Sequence, residues 1–509
     1  MKKQVITITL FLVSFYITAQ PPSIEWQKAL GGGGPDEASS IQQTTDGGYI
    51  VAGRSNSFTS SNYSSSVFWL IKLTSTGVIS WEKVLGGNGY DLATSIQQTT
   101  DGGYIVAGYS NSFDGDVTGN HGNYDYWIVK LTSSGAITWQ KSFGGTGDDK
   151  AWSIQQTTDG GYIVAGETDS KNGDVTGNTS PENGCWVVKM SNMGVITWQI
   201  FFTKGLSYSS GAKSIQQTSD GGFIVAGHAI GMNGPYWSPS VMIGPSYWVI
   251  KLNSSGVIQW EKILGGSSSD YSTSIQQTVD GGYIVAGYSE SNDGDVIGNH
   301  GGYDYWVVKL TSTGTIVWQK SLGGTGDDGA YSIQQTTDGG FIVAGSNNSI
   351  DGDVTVNLGG NDYWVVKLTS TGNIEWQKSL GGTEADAAWS IKQTTDGDYI
   401  VAGGTLSSDG DVTGHTYNSD YWVVKLSSSI GVSEIAELNK IIAYPNPAKD
   451  LINITNGQGN YIITDVFGRM VKEGYITSED FQLNTNELKS GIYFLISKEN
   501  NSSIKFIKK

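Results

Sequence analysis

The sequence predicts an all-β fold, a ring of seven four-stranded sheets closed by its own first strand, and three observations carry this. The first is a repeat. The string SIQQTTDGGYIVAG at residues 40–53 returns, almost letter for letter, from Ser95, Ser153, Ser214, Ser274, Ser332 and Ser390. The second is the placement of tryptophan. Fourteen of the 17 tryptophans occupy two repeat positions: Trp26, Trp81, Trp139, Trp198, Trp260, Trp318 and Trp376 in I-x-W-Q-K, and Trp69, Trp127, Trp186, Trp248, Trp306, Trp364 and Trp422 in D-Y-W-V-V-K-L. The third is how the chain is cut. It opens on a lone I-x-W-Q-K segment, Ile24–Leu30, and closes on a set that lacks one, ending at Tyr421–Leu426.

Each unit, 55 to 62 residues long, reads as four strands. We call them a (SIQQT), b (YIVAG), c (YWVVKL) and d (IxWQK). A tight TDGG turn joins a to b, and TSTG or TSSG joins c to d. The b and c segments are continuous apolar runs, as strands covered on both faces require. The d segments are partly polar, as an outer strand should be. Two hairpins per unit make one blade of a β-propeller. The N-terminal d strand is then expected to complete the last blade, removing two sheet edges that would invite aggregation. An open solenoid would have no use for such a split.

The segments outside the repeat have their own signatures. Residues 1–19 pair Lys2 and Lys3 with an apolar run, Val5–Ile17, and end in Thr18-Ala19, the pattern of a secretory signal peptide. No later stretch is apolar enough to be a transmembrane segment. Cys185 is the single cysteine, so no internal disulfide can form; it stands where five other copies carry tyrosine and reads as a core substitution. Residues 427–440 break the repeat as a linker, and residues 441–509 read as a small C-terminal β-sandwich.

The unit GGTGDDKAWSIQQTTDGGYIVAG…DYWVVKLTSSGAITWQKSFGG resembles the β-propeller repeat of bacterial exported proteins, over residues 24–426. That resemblance implies the fold and no particular activity. The tail resembles the type A C-terminal sorting domain of the type IX secretion system. The matching residues are Tyr444-Pro445-Asn446-Pro447, Asp465-Val466-Phe467-Gly468-Arg469, Gly491-Ile492-Tyr493 and Lys505-Phe506-Ile507-Lys508. The resemblance implies export across the outer membrane, recognition by the secretion machinery, and a secreted or cell-surface protein. The expected layout is a signal peptide over 1–19, a propeller over 20–426, a linker over 427–440 and a sorting domain over 441–509.

The chain carries a net charge of −18, concentrated in the repeats. Such a surface repels phosphate backbones, so nucleic acid is not an expected partner. The long d–a and b–c connections lie on one face, the expected working surface. An aspartate precedes SIQQ by four residues in six copies: Asp36, Asp91, Asp149, Asp270, Asp328 and Asp386. One reading is a ring of carboxylates near the channel mouth; six equivalent copies better suit a scaffold duty, with each carboxylate folded back onto loop N–H groups. The b–c loops of five units carry D-G-D-V-T-G-N or a close variant. Their carboxylates, Asp114, Asp116, Asp174, Asp293, Asp295, Asp351, Asp353, Asp409 and Asp411, are candidate Ca²⁺ ligands, with an Asx-type turn as the other reading. Calcium is the one cofactor the sequence suggests.

Catalytic signatures are missing: there is no nucleophile elbow and no H-E-x-x-H, and the four histidines are dispersed. The fourth unit departs most, and its b–c loop presents Tyr236 and Trp237 as candidate contacts for a sugar or a protein. The expected function is a non-enzymatic binding module for a glycan or a cell-surface protein. A polysaccharide-active hydrolase or lyase using carboxylates of the long-loop face is the alternative, and a structural surface-layer component the third reading.

Overall fold

The computed structural model describes residues 20–59, 65–180, 182–204, 210–230, 244–415, 418–427, 442–455, 459–466, 469–477, 480–497 and 503–509. The expected signal peptide and, beyond Ser427, the expected linker, together with Tyr236, Trp237, Phe467 and Gly468, lie outside the described residues. The chain divides into two compact units, Met1–Ser429 and Ile430–Lys509.

The first unit is a seven-bladed β-propeller of four-stranded antiparallel sheets. Blade 1 runs Asp36–Gln43, Tyr49–Ser55, Val67–Leu73 and Ile79–Leu85, and the next five blades repeat that order. Blade 7 takes its a, b and c strands from Asp386–Gln393, Tyr399–Thr405 and Asp420–Ser427, and its d strand from Ser23–Leu30. Trp26 pairs with Lys425 and Leu30 with Tyr421, so the two ends of the repeat share one sheet. Each hydrophobic cluster draws on two successive blades. The last joins Ile41, Val51 and Trp69 of blade 1 to Ile400, Tyr421 and Val423 of blade 7.

The repeated letters are the contacts that hold blade to blade. Strand a is innermost, so its free edge carries N–H groups that no further strand can pair. Side chains of the preceding blade cap them. Ser40 Oγ accepts from Ile96 N–H at 3.3 Å, and the same bond recurs at every junction, including Ser390 Oγ from Ile41 N–H at 3.3 Å. The first glutamine of SIQQ caps the next N–H: Gln42, Gln97, Gln155, Gln216, Gln276 and Gln334 each accept, through Oε1, from the following blade at 2.6–2.8 Å. The second glutamine reaches the other way, Gln98 Oε1 accepting from Thr45 N–H at 2.8 Å, and this ring is complete through Gln43 and Thr395. Fourteen letters recur because each junction needs the same set of bonds.

The tryptophans follow the same logic. The c-strand indole is buried, and its N–H needs an acceptor. The residue after the d-strand tryptophan supplies it: Trp127 Nε1 donates to Gln140 Oε1 at 3.0 Å. At the closure Trp422 Nε1 donates to Gln27 Oε1 at 2.8 Å. The glycine of YIVAG allows the a and b strands to meet; a Cβ on Gly53 would lie 2.0 Å from the Glu37 carbonyl oxygen. In the TDGG turn, Gly47 takes φ 81°, a left-handed conformation that favours glycine. The turn aspartate also holds the lysine of strand c, Asp46 to Lys72 at 2.9 Å, and all seven blades repeat that pair.

The second unit packs a sheet of Ile442–Tyr444, Leu451–Thr455 and Asp480–Asn484 and a sheet of Met470–Ile476, Gly459–Asp465, Gly491–Ser497 and Ser503–Lys508. They share one core that includes Ala448, Ile452, Ile454, Tyr461, Leu495 and Phe506. This is the small β-sandwich expected for the tail.

Candidate functional site: an aromatic funnel at the mouth of the channel

A β-bulge in every a strand sets what faces the axis. The register shifts between Ala38 and Ser40, and at the equivalent place in all seven blades. An extra residue at this point changes which side chains point inward. Below the bulge the axis is lined by the serines of six blades, by the first glutamine of six, and by Lys392 in the seventh. Above it, toward the long-loop face, the inward positions are those of Glu37 and Ser39, and here the copies diverge. The Ser39 position carries Ser39, Thr94, Trp152, Lys213, Thr273, Tyr331 and Trp389 in blades 1 to 7. The residue after YIVAG also varies, and it pairs across to the Glu37 position: Glu37 with Arg54, Lys150 with Glu167, Gly211 with His228, Tyr271 with Tyr288.

These side chains form a funnel enclosing about 360 Å³. One side is aromatic. Tyr271, Tyr288, Tyr331 and Trp389 make a continuous arc over blades 5 to 7, with successive ring centroids 5.3, 6.1 and 4.3 Å apart. The other side is mixed. The Lys213 ammonium lies 3.6 Å from the Trp152 ring centroid and 4.0 Å from Glu167, which also accepts from Trp152 Nε1 at 3.2 Å. Glu37 is paired with Arg54 at 3.1 Å. Burial, then the Glu167 and Lys150 charges acting in opposite senses, leaves the Lys213 ammonium below the ordinary lysine range. Burial and the Lys213 charge push His228 down to about 4, so its imidazole is neutral at pH 7. Among the described residues His228 Nδ1 and Trp389 Nε1 have no hydrogen-bond partner.

The aspartates four before SIQQ do not form a ring of free carboxylates. Asp91 is fully buried and accepts from Gly87 N–H at 2.9 Å and from the hydroxyls of Ser110 and Ser112. Asp36, Asp149, Asp270, Asp328 and Asp386 likewise accept a loop glycine N–H at 2.8–3.0 Å. Burial, partly offset by these bonds, raises Asp149 and Asp270 to about 6. The aspartate of D-Y-W, given no role by the sequence reading, is buried beside them. Burial pushes Asp125 and Asp304 up to about 6 and Asp362 to about 7.

The D-G-D-V-T-G-N loops staple one loop to another. Asp114 accepts Asn88 N–H at 2.8 Å, and Asp116 accepts Gly86 N–H at 3.2 Å. Asp293 and Asp295 accept from Ser267 and Gly265, Asp351 from Thr325, Asp409 and Asp411 from Thr383 and Gly381, and Asp174 from Gly144. Asp353 Oδ2 lies 4.0 Å from His300 Nε2. Donors aimed at most of these oxygens are the reverse of what a cation needs. Among the described residues no three His, Cys, Asp or Glu side chains are grouped to hold a metal ion. His121, His300 and His415 sit in separate blades, each beside the aspartate of its own D-Y-W, at 2.7, 2.8 and 3.1 Å.

In the tail, Asn446 bridges to the last strand: its Nδ2 donates to Lys505 O at 3.1 Å and its Oδ1 accepts from Ile507 N–H at 2.9 Å. The flanking peptides Tyr444-Pro445 and Asn446-Pro447 are cis. Tyr493 donates its hydroxyl to Lys489 O at 2.9 Å, two residues before Gly491 opens the strand. Lys508 Nζ lies 3.9 Å from Asp450. Asn446 and the strand opened by Gly491 thus both flank the C-terminal strand.

Residues 442–509 match the family model described as a secretion system C-terminal sorting domain. In class, this is an exported β-propeller repeat protein that ends in a type IX sorting domain, secreted or displayed at the cell surface. The sorting domain implies the secretion machinery as a partner. No curated protein matches the chain. Among solved structures it is similar to a protein of unknown function from Bacteroides caccae, at 14% identity over 61% of this chain and 89% of that one, TM-score 0.36. PorZ, an essential surface component of the type IX secretion system of Porphyromonas gingivalis, matches at 12% identity over 94% of this chain and 60% of that one, TM-score 0.40. The Pan2 WD40 domain of Neurospora crassa matches at 10% identity over 78% and 95%, TM-score 0.43. The propeller assignment rests on the strand ladders themselves. Among the described residues no helix is long and apolar enough to cross a membrane.

Proposed function

We propose that this protein is a secreted or cell-surface binding module that holds a glycan in the funnel without transforming it. The aromatic arc from Tyr271 through Tyr288 and Tyr331 to Trp389 is the observation that carries the reading. Aromatic faces exposed in a concavity with a few placed polar groups suit the C–H face of a pyranose ring. The volume, about 360 Å³, lies near the small end of ligand pockets, roughly 300–1,000 Å³, and suits one or two sugar rings better than a protein surface. Charges in the wall are paired within it, which favours a neutral sugar. The same pairing counts against hydrolysis, because Glu37 and Glu167 are each engaged by a cation.

Screening the propeller against neutral oligosaccharides, with Trp389→Ala and Tyr331→Ala alongside, tests this. Binding that drops at least tenfold in both variants, with no reducing sugar released, is expected. Undiminished binding in both would remove the funnel as the site, and release of reducing ends would favour the hydrolase. If a Tyr236→Ala, Trp237→Ala double variant abolishes binding while the funnel variants do not, the fourth-unit loop is the site instead.

A further inference from the structure

One residue breaks the Ser–Gln ladder. The seventh copy reads SIKQT, and Lys392 stands where six blades carry the first glutamine. Those six use Oε1 to accept a backbone N–H of the next blade. A backbone N–H can only donate, so the atom facing it must be the oxygen, and the amide orientation is settled by chemistry. Each Nε2 therefore presents two N–H donors elsewhere, and none of the six meets a protein acceptor among the described residues. All six amides and Lys392 line one cavity of about 320 Å³ on the propeller axis, directly below the funnel.

The glutamine and lysine positions thus form a ring of donors. An ammonium needs a counter-charge or strong acceptors when it leaves bulk water, and no ion pair to Lys392 is found among the described residues. Burial alone pushes its ammonium below the ordinary lysine range, with no carboxylate acting in the opposite sense. Lysine also costs the ladder a bond, because it has no acceptor to offer Gln43 N–H at the junction where the ring closes. Six copies show what the scaffold alone requires, and the seventh gives that up for a positive charge.

We propose that the channel below the funnel is a small-anion site, in which Lys392 Nζ and the amide groups of the ladder glutamines, Gln334 and Gln42 first among them, coordinate a halide or a small oxyanion. The protein's net charge of −18 does not forbid this. Surface carboxylates are screened over about 10 Å at 0.1 M salt, whereas the donors act in contact. The site is independent of the sugar reading, since none of the aromatic residues takes part.

Two measurements test it on the full chain. Crystals soaked in bromide should show an anomalous peak in the channel within hydrogen-bond reach of Lys392 Nζ; crystals soaked in sulfate should show the tetrahedral anion there. Either result supports the site and names its class, and an empty channel in both overturns it. In solution, Lys392→Gln restores the residue of the other six blades and so preserves the fold. Thermal unfolding at matched ionic strength should show a saturable rise in Tm with bromide or sulfate for the natural protein. The midpoint should be at least tenfold weaker for K392Q, whose Tm in low salt should be the higher of the two. Identical anion responses in the two proteins would overturn the proposal.

Discussion

The funnel and the ladder beneath it are consecutive stretches of the same seven strands, yet the chain treats them in opposite ways. Below the bulge it writes Ser-Ile-Gln-Gln with one exception in seven copies. Above the bulge the positions that face the axis hold no residue type. The Ser39 position alone carries serine, threonine, tryptophan, lysine and tyrosine. A position that bridges blades must meet the same demand at every junction. A position that touches a ligand need not, because a ligand has no sevenfold symmetry. In a repeat protein, sameness marks the scaffold and difference marks the work.

That contrast can be broken at several points, and the largest effect should come at the seam. Removing residues 20–30 deletes the strand pairing with Asp420–Ser427 and exposes a blade edge. We expect loss of cooperative thermal unfolding and rapid proteolysis; a truncated protein that melts as sharply as the intact one would disprove closure by that strand.

Acidity comes next. Asp125, Asp149, Asp270 and Asp304 have folded values near 6 against 3.8 unfolded. The folded state therefore binds more protons between those values, and stability falls as pH rises from 3.8 through 6. The turn aspartates Asp46, Asp101, Asp159, Asp220, Asp280 and Asp338 are held near 2 by threonine, lysine and backbone hydrogen bonds that outweigh burial. Their contribution is whole above 3.8 and is lost as pH falls toward 2. Tm should therefore peak near pH 4 and be several degrees lower at pH 7.5. A Tm that climbs steadily from pH 4 to 8 would contradict the burial of these carboxylates.

Within the rings the two kinds of position should separate cleanly. Gln97→Leu removes the acceptor of Gln156 N–H and should cost about 1–3 kcal/mol by chemical denaturation. Trp389→Ala should cost about 1 kcal/mol or less, since its indole N–H has no hydrogen-bond partner among the described residues and its ring faces the funnel. Equal costs would erase the distinction. The smallest effect is expected from EDTA, which should leave Tm unchanged, because the loop carboxylates are occupied by N–H donors.

The same distinction governs what could be read from the letters. The ring, its seven blades and its seam were legible because Trp26, Trp422 and the SIQQ strings recur, and packing that repeats leaves a repeating trace. The D-G-D loops were ambiguous for a physical reason. Oxygens at alternate positions around a glycine turn serve a cation and a row of N–H donors equally well, and only the partner loop at Gly86 and Asn88 distinguishes them. The funnel escaped because its residues are the ones a consensus discards. Trp152, Lys213, Tyr331 and Trp389 fall at one unassigned letter of the repeat, and aligning the copies to ask where they disagree would have found them. Lys392 was visible as a single substitution, but its meaning needed the amide orientations that the ladder imposes.

The seam also sets a timetable. Gln27 and Trp422, which meet through a side-chain bond, are 395 residues apart in the chain. A ribosome must finish nearly the whole propeller before the first strand it made can find its place, and closing so long a loop is slow and entropically costly. Until Ser427 has been synthesised the circle stays open.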